Sequence, residues 1–185
     1  INIVLKAVPP KTTMPILECI LIDASDNQIK LTANDMELGI ETKVEGSILS
    51  RGKIALDAKL LSEIIRKLSG GESDITIESD DKYNTTITCD NSVFHIQGKN
   101  GDEFSYLPFI EKDHFICLSQ FTLKEVIRQT LFSISVNDSN KMMTGELFQV
   151  TDNELKVVSL DGHRMSIRKV ELKDHYENIK VIVPG

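Results

Sequence analysis

The chain contains two copies of one segment, and this repeat constrains the fold more than any other feature of the sequence. Residues 21–45 align without a gap with residues 147–171, at an offset of 126 positions. Eight of the 25 aligned positions are identical, where average composition predicts roughly one or two. The same offset places Ile1, Leu5 and Val8 on Ile127, Leu131 and Ile134. The repeat therefore predicts two similar units, each with a helix followed by strands.

Three segments carry apolar residues at the spacing of amphipathic helices. The predicted helices cover residues 1–8, 59–68 and 123–134. Asp57 is the predicted N-cap of the second helix, because a carboxylate there can accept hydrogen bonds from the first free N–H groups. Thr122 and Glu125 have the spacing of a capping box before the third helix.

Most of the remaining chain up to residue 97 alternates between apolar and polar residues, as half-buried strands do. The predicted strands cover residues 28–33, 36–44, 52–56, 74–78, 85–88 and 92–97. Asp-Asn, Asp-Asp and Asn-Gly pairs between these runs predict hairpin turns. We therefore predict an α+β fold dominated by antiparallel sheet. Each copy is expected to contain a helix, a strand, a tight Asp-Asn hairpin, a strand, a short Asp-containing turn and a strand.

The repeat also predicts where the domains begin and end. We place domain one at residues 1–113 and domain two at residues 114–185, with the linker LPFIEKD at the end of the first. Since 114 minus 126 is −12, copy one should begin about 12 residues before Ile1. After the matched blocks, copy one continues for 68 residues and copy two for 14. We expect a truncated start to domain one and a missing second half of domain two.

Composition narrows the class of protein. No apolar run reaches the roughly 20 residues that span a bilayer and no secretory leader precedes the body, so a cytoplasmic protein without a membrane partner is expected. Three separated cysteines in apolar runs are typical of reduced, buried thiols. The four histidines share no ligand spacing with them, so neither a metal nor a cofactor is predicted. A net charge of −7 argues, on its own, against nucleic acid as a partner.

The stretch Asp161-Gly162-His163-Arg164 has the composition of an active-site turn. Asp161 aligns with Asp35 of the first copy, where no histidine follows, so the shared aspartate is predicted to bind the N–H groups of its own turn. A general base needs a nucleophile within reach, and no serine-elbow or cysteine motif is present. A small hydrolase that uses His163 and Asp161 remains as an alternative.

Six short motifs, in this order, resemble the bacterial sliding clamp family, the beta subunit of DNA polymerase III. They are TMPIL (13–17), LTANDMEL (31–38), FSYLP (104–108), GELFQV (145–150), LDGHRM (160–165) and VIVP (181–184). The resemblance covers essentially the whole chain. It implies the DNA-clamp fold and a non-catalytic protein without a cofactor, whose subunit has three similar domains and closes as a head-to-tail homodimer around duplex DNA. A generic protein-interaction module built from the same repeat is the second alternative.

The resemblance implies sequence-independent contact with the encircled duplex. In the helix at 59–68, three basic residues and one glutamate give a net charge of +2, and in the helix at 123–134 two basic residues and one glutamate give +1. Weak attraction suits a sliding ring, because tight phosphate binding would hold it in place. Ordinary solvated helix faces explain these charges equally well. The implied DNA-binding residues are Lys11, Lys59, Arg66, Lys67, Lys124, Arg128, Asn137, Lys141 and Met142.

The resemblance also implies an apolar groove for short linear peptides of the replicative polymerase, the clamp loader and repair polymerases. The residues carried over are Met143, Leu160, Gly162, His163, Arg164 and Met165. Gly162 is expected to permit close backbone approach, and the methionines are expected to supply an adaptable wall. The alternative for Met143 and Met165 is a role in the core. Because the remaining wall is expected beyond Gly185, this chain should bind such peptides poorly.

The strand SVFHI at residues 92–96 resembles the family's domain-one edge, at which two subunits meet. Phe94 and Ile96 are the implied apolar contacts of the dimer interface. An apolar edge strand without a partner is an aggregation hazard. Because its partner is the third domain, we expect that this chain alone does not form the ring dimer.

Overall fold

The structure is a computed structural model that describes residues 1–68, 73–106, 115–136 and 139–185. It divides the chain into two compact units, Ile1–Phe109 and Ile110–Gly185, here called unit one and unit two. The predicted linker at 107–113 and the predicted boundary after residue 113 lie outside the described residues. No helix within the described residues is long and apolar enough to cross a bilayer.

Unit one is an antiparallel α+β structure with two sheets. One sheet has the strand order β3-β2-β1-β4-β8, and the other has the order β5-β6-β7. All of their pairings are antiparallel, as predicted. The elements are β1 (Cys19–Asp23), β2 (Ile29–Asn34), β3 (Gly39–Val44), β4 (Lys53–Asp57), α1 (Ala58–Leu68), β5 (Thr76–Ser79), β6 (Asn84–Cys89), β7 (Ser92–Gln97) and β8 (Lys99–Asn100).

The main core of unit one is shared by both sheets and by α1. Leu56 of β4, Leu61 of α1 and Ile87 of β6 are fully buried in one apolar cluster. Asp57 caps α1 as predicted, because its Oδ1 accepts a hydrogen bond of 2.8 Å from the Leu60 N–H. The apolar stripe of the helix packs into this core, and its charged residues face solvent.

The start of the chain differs from its prediction. Residues 1–8 were expected to form one helix, but the structure has only a short 3₁₀ helix, Val4–Ala7, whose first and last residues are buried. Val8 is extended, with φ −81° and ψ 122°. A residue that precedes a proline is disfavoured in the helical region, so Pro9 ends the helical segment early.

Unit two consists of a helix and a long pair of strands. Its elements are α2 (Gln120–Thr130), β9 (Gly145–Leu160) and β10 (Met165–Pro184), with 3₁₀ helices at Leu131–Ser133 and Lys141–Thr144. The predicted helix start was wrong. Ser119 is the N-cap, since its side chain accepts a hydrogen bond of 3.0 Å from the Thr122 N–H. The observed cap stands three residues before Thr122, the predicted one.

Strand pairing in unit two reproduces part of the pairing in unit one. Val157 pairs with Arg168, and the residues 126 positions earlier, Leu31 and Thr42, pair in the same way. Residues 145–150 pair with residues 179–184, which corresponds to the pairing of β1 with β4 at a register that differs by one residue. The predicted Asp-Asn hairpin of the second copy lies inside β9, where Asp152 has a left-handed φ of 55°.

The cysteines are free thiols, but they do not share one environment. Cys19 and Cys89 are buried as predicted, whereas Cys117 is exposed. Burial raises the pKa of the Cys19 thiol above its ordinary value. Within the described ranges, no group of three or more His, Cys, Asp or Glu side chains is placed to hold a metal ion.

Candidate functional site

The turn between β9 and β10 is organised by Asp161. Its Oδ1 accepts hydrogen bonds of 3.0 Å from the backbone N–H groups of His163 and Arg164, and its Oδ2 accepts one of 2.8 Å from Arg164 Nε. The His163 N–H, followed by the donors of Arg164, holds the pKa of the Asp161 carboxyl below its ordinary value. The carboxylate is thus occupied in shaping the turn, which argues against a role for Asp161 as the partner of a catalytic histidine.

The same turn is present in unit one, 126 positions earlier. Asp35 Oδ1 accepts hydrogen bonds of 2.9 Å from the Glu37 N–H and 2.7 Å from the Leu38 N–H. The backbone N–H of Asp35 donates to the Leu38 carbonyl, as that of Asp161 donates to the Arg164 carbonyl. The local turn therefore belongs to the repeated unit, and what distinguishes unit two is the set of side chains that the turn carries.

The second residue of each turn has left-handed backbone geometry. Gly162 has φ 87° and Met36, its counterpart, has φ 75°. A side chain at a left-handed position is strained, whereas glycine is not. Apart from Gly162 itself and its two chain neighbours, no heavy atom of the described residues lies within 4 Å of where a Cβ of Gly162 would stand. In this structure the glycine therefore serves backbone conformation, and the predicted close approach of another backbone is not seen.

The predicted groove residues lie mostly at the surface. Met165 is 60% exposed, His163 and Arg164 are exposed, and Leu160 and Met143 are half-buried. Leu160 and Met165 face each other as a pair across β9 and β10. The turn thus brings Leu160 and residues 162–165 together. Met143 lies in the 3₁₀ helix that precedes β9, and its proximity to the turn stays a prediction.

Sequence reasoning missed an apolar neighbour of the turn. Ile167 is 52% exposed and pairs with Val158, two positions along from the pair of Met165 and Leu160. Side chains two residues apart lie on the same face of a strand. Four apolar residues therefore share the face opposite the buried Val157: Val158, Leu160, Met165 and Ile167. The period-two spacing of residues 165 and 167 was the signal that could have identified Ile167.

The predicted basic residues of α1 are on its solvent side. Lys59, Arg66 and Lys67 are exposed, while Leu61 and Ile64 of the same helix are buried. Arg66 Nη2 also donates a hydrogen bond of 3.3 Å to Ser62 Oγ. The ammonium groups of Lys59 and Lys67 are therefore available to a polyanion in solution.

The basic residues of α2 are less available than the sequence indicated. Arg128 donates two hydrogen bonds to Glu125, of 3.0 Å from Nε and 2.7 Å from Nη2. These bonds hold the pKa of Glu125 below its ordinary value, so the pair stays ionised. Lys124 is exposed, and so is Phe121, at 75%. Phe121 was missed because it precedes the predicted start of the helix.

The remaining DNA-binding predictions fall in loops. Lys11 and Lys141 are exposed, and Met142 is 65% exposed. Asn140 holds the second loop, since its Oδ1 accepts a hydrogen bond of 3.1 Å from the Met142 N–H. Asn137 lies outside the described residues.

Strand β7 lies at the edge of its three-stranded sheet, but its predicted interface residues face inward. Ile96 is 9% exposed and belongs to the core, against which Phe94 packs. Val93 is 53% exposed and is the apolar side chain that β7 presents to solvent. The role of Phe94 and Ile96 between subunits stays a prediction.

Two family models match the chain. The N-terminal domain of the DNA polymerase III beta subunit matches residues 1–108, and the central domain of the same subunit matches residues 117–185. A beta sliding clamp of Staphylococcus epidermidis is 37% identical over 193 residues, which is 100% of this chain and 51% of that relative. The chain thus spans about half the length of the curated relatives that it matches.

Solved structures give the same result. A putative DNA polymerase III beta subunit from Eubacterium rectale is 64% identical with a TM-score of 0.95, over 99% of this chain and 50% of that one. The DNA polymerase sliding clamp from Bacillus subtilis is 35% identical with a TM-score of 0.92, over the same shares. The chain has the clamp fold, and it belongs to the DNA polymerase III beta subunit family.

Proposed function

We propose that this chain is part of a DNA sliding clamp, a non-catalytic processivity factor of the cytoplasm that encircles duplex DNA. The observation that carries the proposal is a repeated unit with clamp-family similarity along both copies. A ring is retained by enclosure, so it needs only weak, sequence-independent attraction to phosphates. Residues 1–113 would form domain one and residues 114–185 the first half of domain two.

Two observations support weak attraction to DNA. The chain is acidic overall, with a net charge of −7, yet α1 exposes Lys59 and Lys67 and α2 exposes Lys124. In α2 the ion pair of Arg128 with Glu125 removes one free cation. Few uncompensated charges favour sliding over stable binding, because each neutralised phosphate adds affinity.

We further propose that the turn at residues 160–165 forms one side of a groove for short linear peptides. The partners would be the replicative polymerase, the clamp loader and repair polymerases. Exposed Met165 and half-buried Leu160 would supply apolar contact, and exposed Arg164 would supply hydrogen-bond donors. The bonds of the Asp161 carboxylate to the turn favour this binding role over the alternative of a hydrolase.

A processivity assay tests the function. The full-length subunit, its clamp loader and the replicative polymerase are combined on a singly primed circular template, and product length per binding event is measured. We expect much longer products with the subunit than without it. A Met165→Ala variant should load less efficiently and support shorter synthesis, because it weakens the attachment of both the clamp loader and the polymerase to the proposed groove. Products of equal length with and without the subunit would refute the proposal.

Oligomeric state tests the ring separately. We propose that the full-length subunit forms a head-to-tail homodimer, with the β7 edge in the interface. Light scattering should report a dimer for the full-length subunit and a monomer near 20.7 kDa for the 185-residue chain. A stable dimer of the 185-residue chain would contradict the assignment of the partner surface to a third domain.

A further inference from the structure

Unit two has a polar layer at positions where unit one has an apolar core. The buried polar residues described in unit two are Thr130 (0% exposed), Ser133 (1%), Glu146 (3%) and Ser159 (1%). Their counterparts 126 positions earlier are Val4, Ala7, Ile20 and Ala33. All four counterparts belong to the core cluster of unit one. Each pair is similar in size, so the exchange alters chemistry more than volume.

Three of these residues tie the end of α2 to the two strands. Ser159 Oγ donates a hydrogen bond to the Thr130 carbonyl. Ser133 Oγ lies 2.6 Å from Ser166 Oγ, and one hydroxyl donates to the other. Thr130 Oγ1 donates to the Val126 carbonyl at 2.8 Å. The apolar counterparts in unit one have no side-chain donors, so these bonds are specific to unit two.

Each bond to the strands lies next to a predicted groove residue. Ser159 precedes Leu160, and Ser166 follows Met165. Neighbouring side chains on a strand point to opposite faces, so when the two serines bond to Thr130 and Ser133, Leu160 and Met165 are turned to the outer face. The third apolar groove residue is held as well, because the backbone N–H of Ser135 donates a hydrogen bond of 2.8 Å to the Met143 carbonyl.

Glu146 makes the polar layer unfavourable for stability. Its side chain is 3% exposed, and among the described residues its Oε1 is the buried side-chain polar atom that no hydrogen-bond donor reaches. An unpaired buried polar atom is destabilising. In unit one the equivalent position holds Ile20 in the apolar core, so the fold does not require a polar residue there.

We propose that Ser133, Ser159 and Ser166, with Thr130, are positioning residues of the peptide groove. They hold Leu160 and Met165 in the orientation that receives a peptide, and the segment 130–135 acts as their common support. A preorganised wall binds more tightly because less conformational freedom is lost on binding. This inference rests on the proposed peptide-binding function.

The test exchanges the polar layer for the residues of unit one. In the full-length subunit, Thr130→Val, Ser133→Ala and Ser159→Ala are combined, and Thr85→Val serves as the matched control. Thr85 is a buried residue of unit one whose hydroxyl lies within hydrogen-bond distance of Ser79 Oγ and of the Tyr83 carbonyl, at 3.2 and 3.3 Å. The readouts are thermal unfolding and, at a temperature where every variant is folded, the Kd of a fluorescent peptide from the clamp-binding segment of the replicative polymerase.

We expect the triple variant to bind the peptide about tenfold more weakly, the effect of losing two hydrogen bonds that fix the wall. The control should bind as the unaltered subunit does, and Ser159→Thr, which keeps the hydroxyl, should restore about half of the lost binding free energy within the triple variant, because it returns one of the two hydrogen bonds. An unchanged Kd with a lowered melting temperature would overturn the inference and leave the proposed function intact. Absence of peptide binding by the unaltered subunit would reject the proposed function, and the inference with it.

Discussion

Replacing Glu146 by isoleucine should stabilise unit two. The glutamate is 3% exposed with Oε1 unpaired, and an unsatisfied buried polar group costs about 1–3 kcal/mol. The equivalent Ile20 is fully buried in the core of unit one, so the position accepts isoleucine in the repeated fold. β-branched residues also suit strands. We expect a gain of about 2 kcal/mol from removal of the unpaired group and burial of apolar surface.

The assay is thermal unfolding followed by far-ultraviolet circular dichroism, since the chain has no tryptophan. For a unit of this size each kcal/mol shifts Tm by about 4–8 °C, so the transition of unit two should rise by about 8–16 °C. Glu146→Gln is the matched control, because it keeps the size and an unpaired polar group and should gain much less. A Glu146→Ile variant that melts at or below the unaltered chain would refute the argument and indicate that the buried carboxylate is satisfied.

Three further predictions follow from the turns and from α2. Gly162→Ala should lower the stability of unit two by about 1–2 kcal/mol, because alanine is strained in left-handed backbone. Met36→Gly should relieve the same strain in unit one and leave its stability unchanged or up to about 1 kcal/mol higher. Urea unfolding of both variants checks this, and a loss of stability in Met36→Gly would contradict it. The folded-state pKa of Asp161 is lowered, so its contribution to stability is present above its ordinary pKa of 3.8 and is lost as pH falls through the folded-state value. A carboxyl titration by NMR should therefore place the midpoint of Asp161 below 3.8. A midpoint at or above 3.8 would be inconsistent with the hydrogen bonds that the carboxylate accepts. Glu125→Gln should release Arg128 for contact with a phosphate of duplex DNA. The logarithm of the DNA-binding constant, measured by fluorescence anisotropy, should then fall more steeply with the logarithm of salt concentration, by about 0.9 in slope. An unchanged slope would exclude Arg128 from the DNA-facing surface.

The repeat made much of the fold predictable. Helix α1 begins one residue before its predicted start, at Ala58, because a strong cap and an apolar stripe coincide there. Asp161 could be identified as a turn residue because no histidine follows its counterpart Asp35. In the structure each carboxylate accepts hydrogen bonds from the backbone N–H groups two and three residues after it. Features shared by two copies are predictable when local chemistry and the alignment agree.

The errors arose where local patterns were ambiguous. Ser119 and Thr122 both fit an N-cap template, and only the fold distinguishes them. The predicted Asp-Asn hairpin of the second copy falls within β9, where Asp152 has a left-handed φ and both ends of β9 approach residues 130–135, so the chain does reverse at the predicted turn. The apolar alternation of β7 did not reveal which face meets the core; Ile96, a predicted interface residue, is buried in unit one, and its role between subunits stays a prediction.

The polar layer of unit two could have been found by comparing the copies at core positions. The alignment places Glu146 on Ile20 and Ser159 on Ala33, but a sequence does not state which face each strand residue occupies. Burial in the structure supplies that information. Comparing buried residues at equivalent positions then shows which core residues are alike in the two units and which are polar in unit two alone.

Retention on circular DNA tests enclosure most directly. The full-length subunit is loaded by its clamp loader onto a nicked circular duplex, free protein is removed, and the bound fraction is followed before and after a restriction enzyme linearises the circle. We predict long retention on the circle at a salt concentration that abolishes phosphate binding, and rapid loss once ends are present. Equal loss from circular and linear DNA would contradict the account.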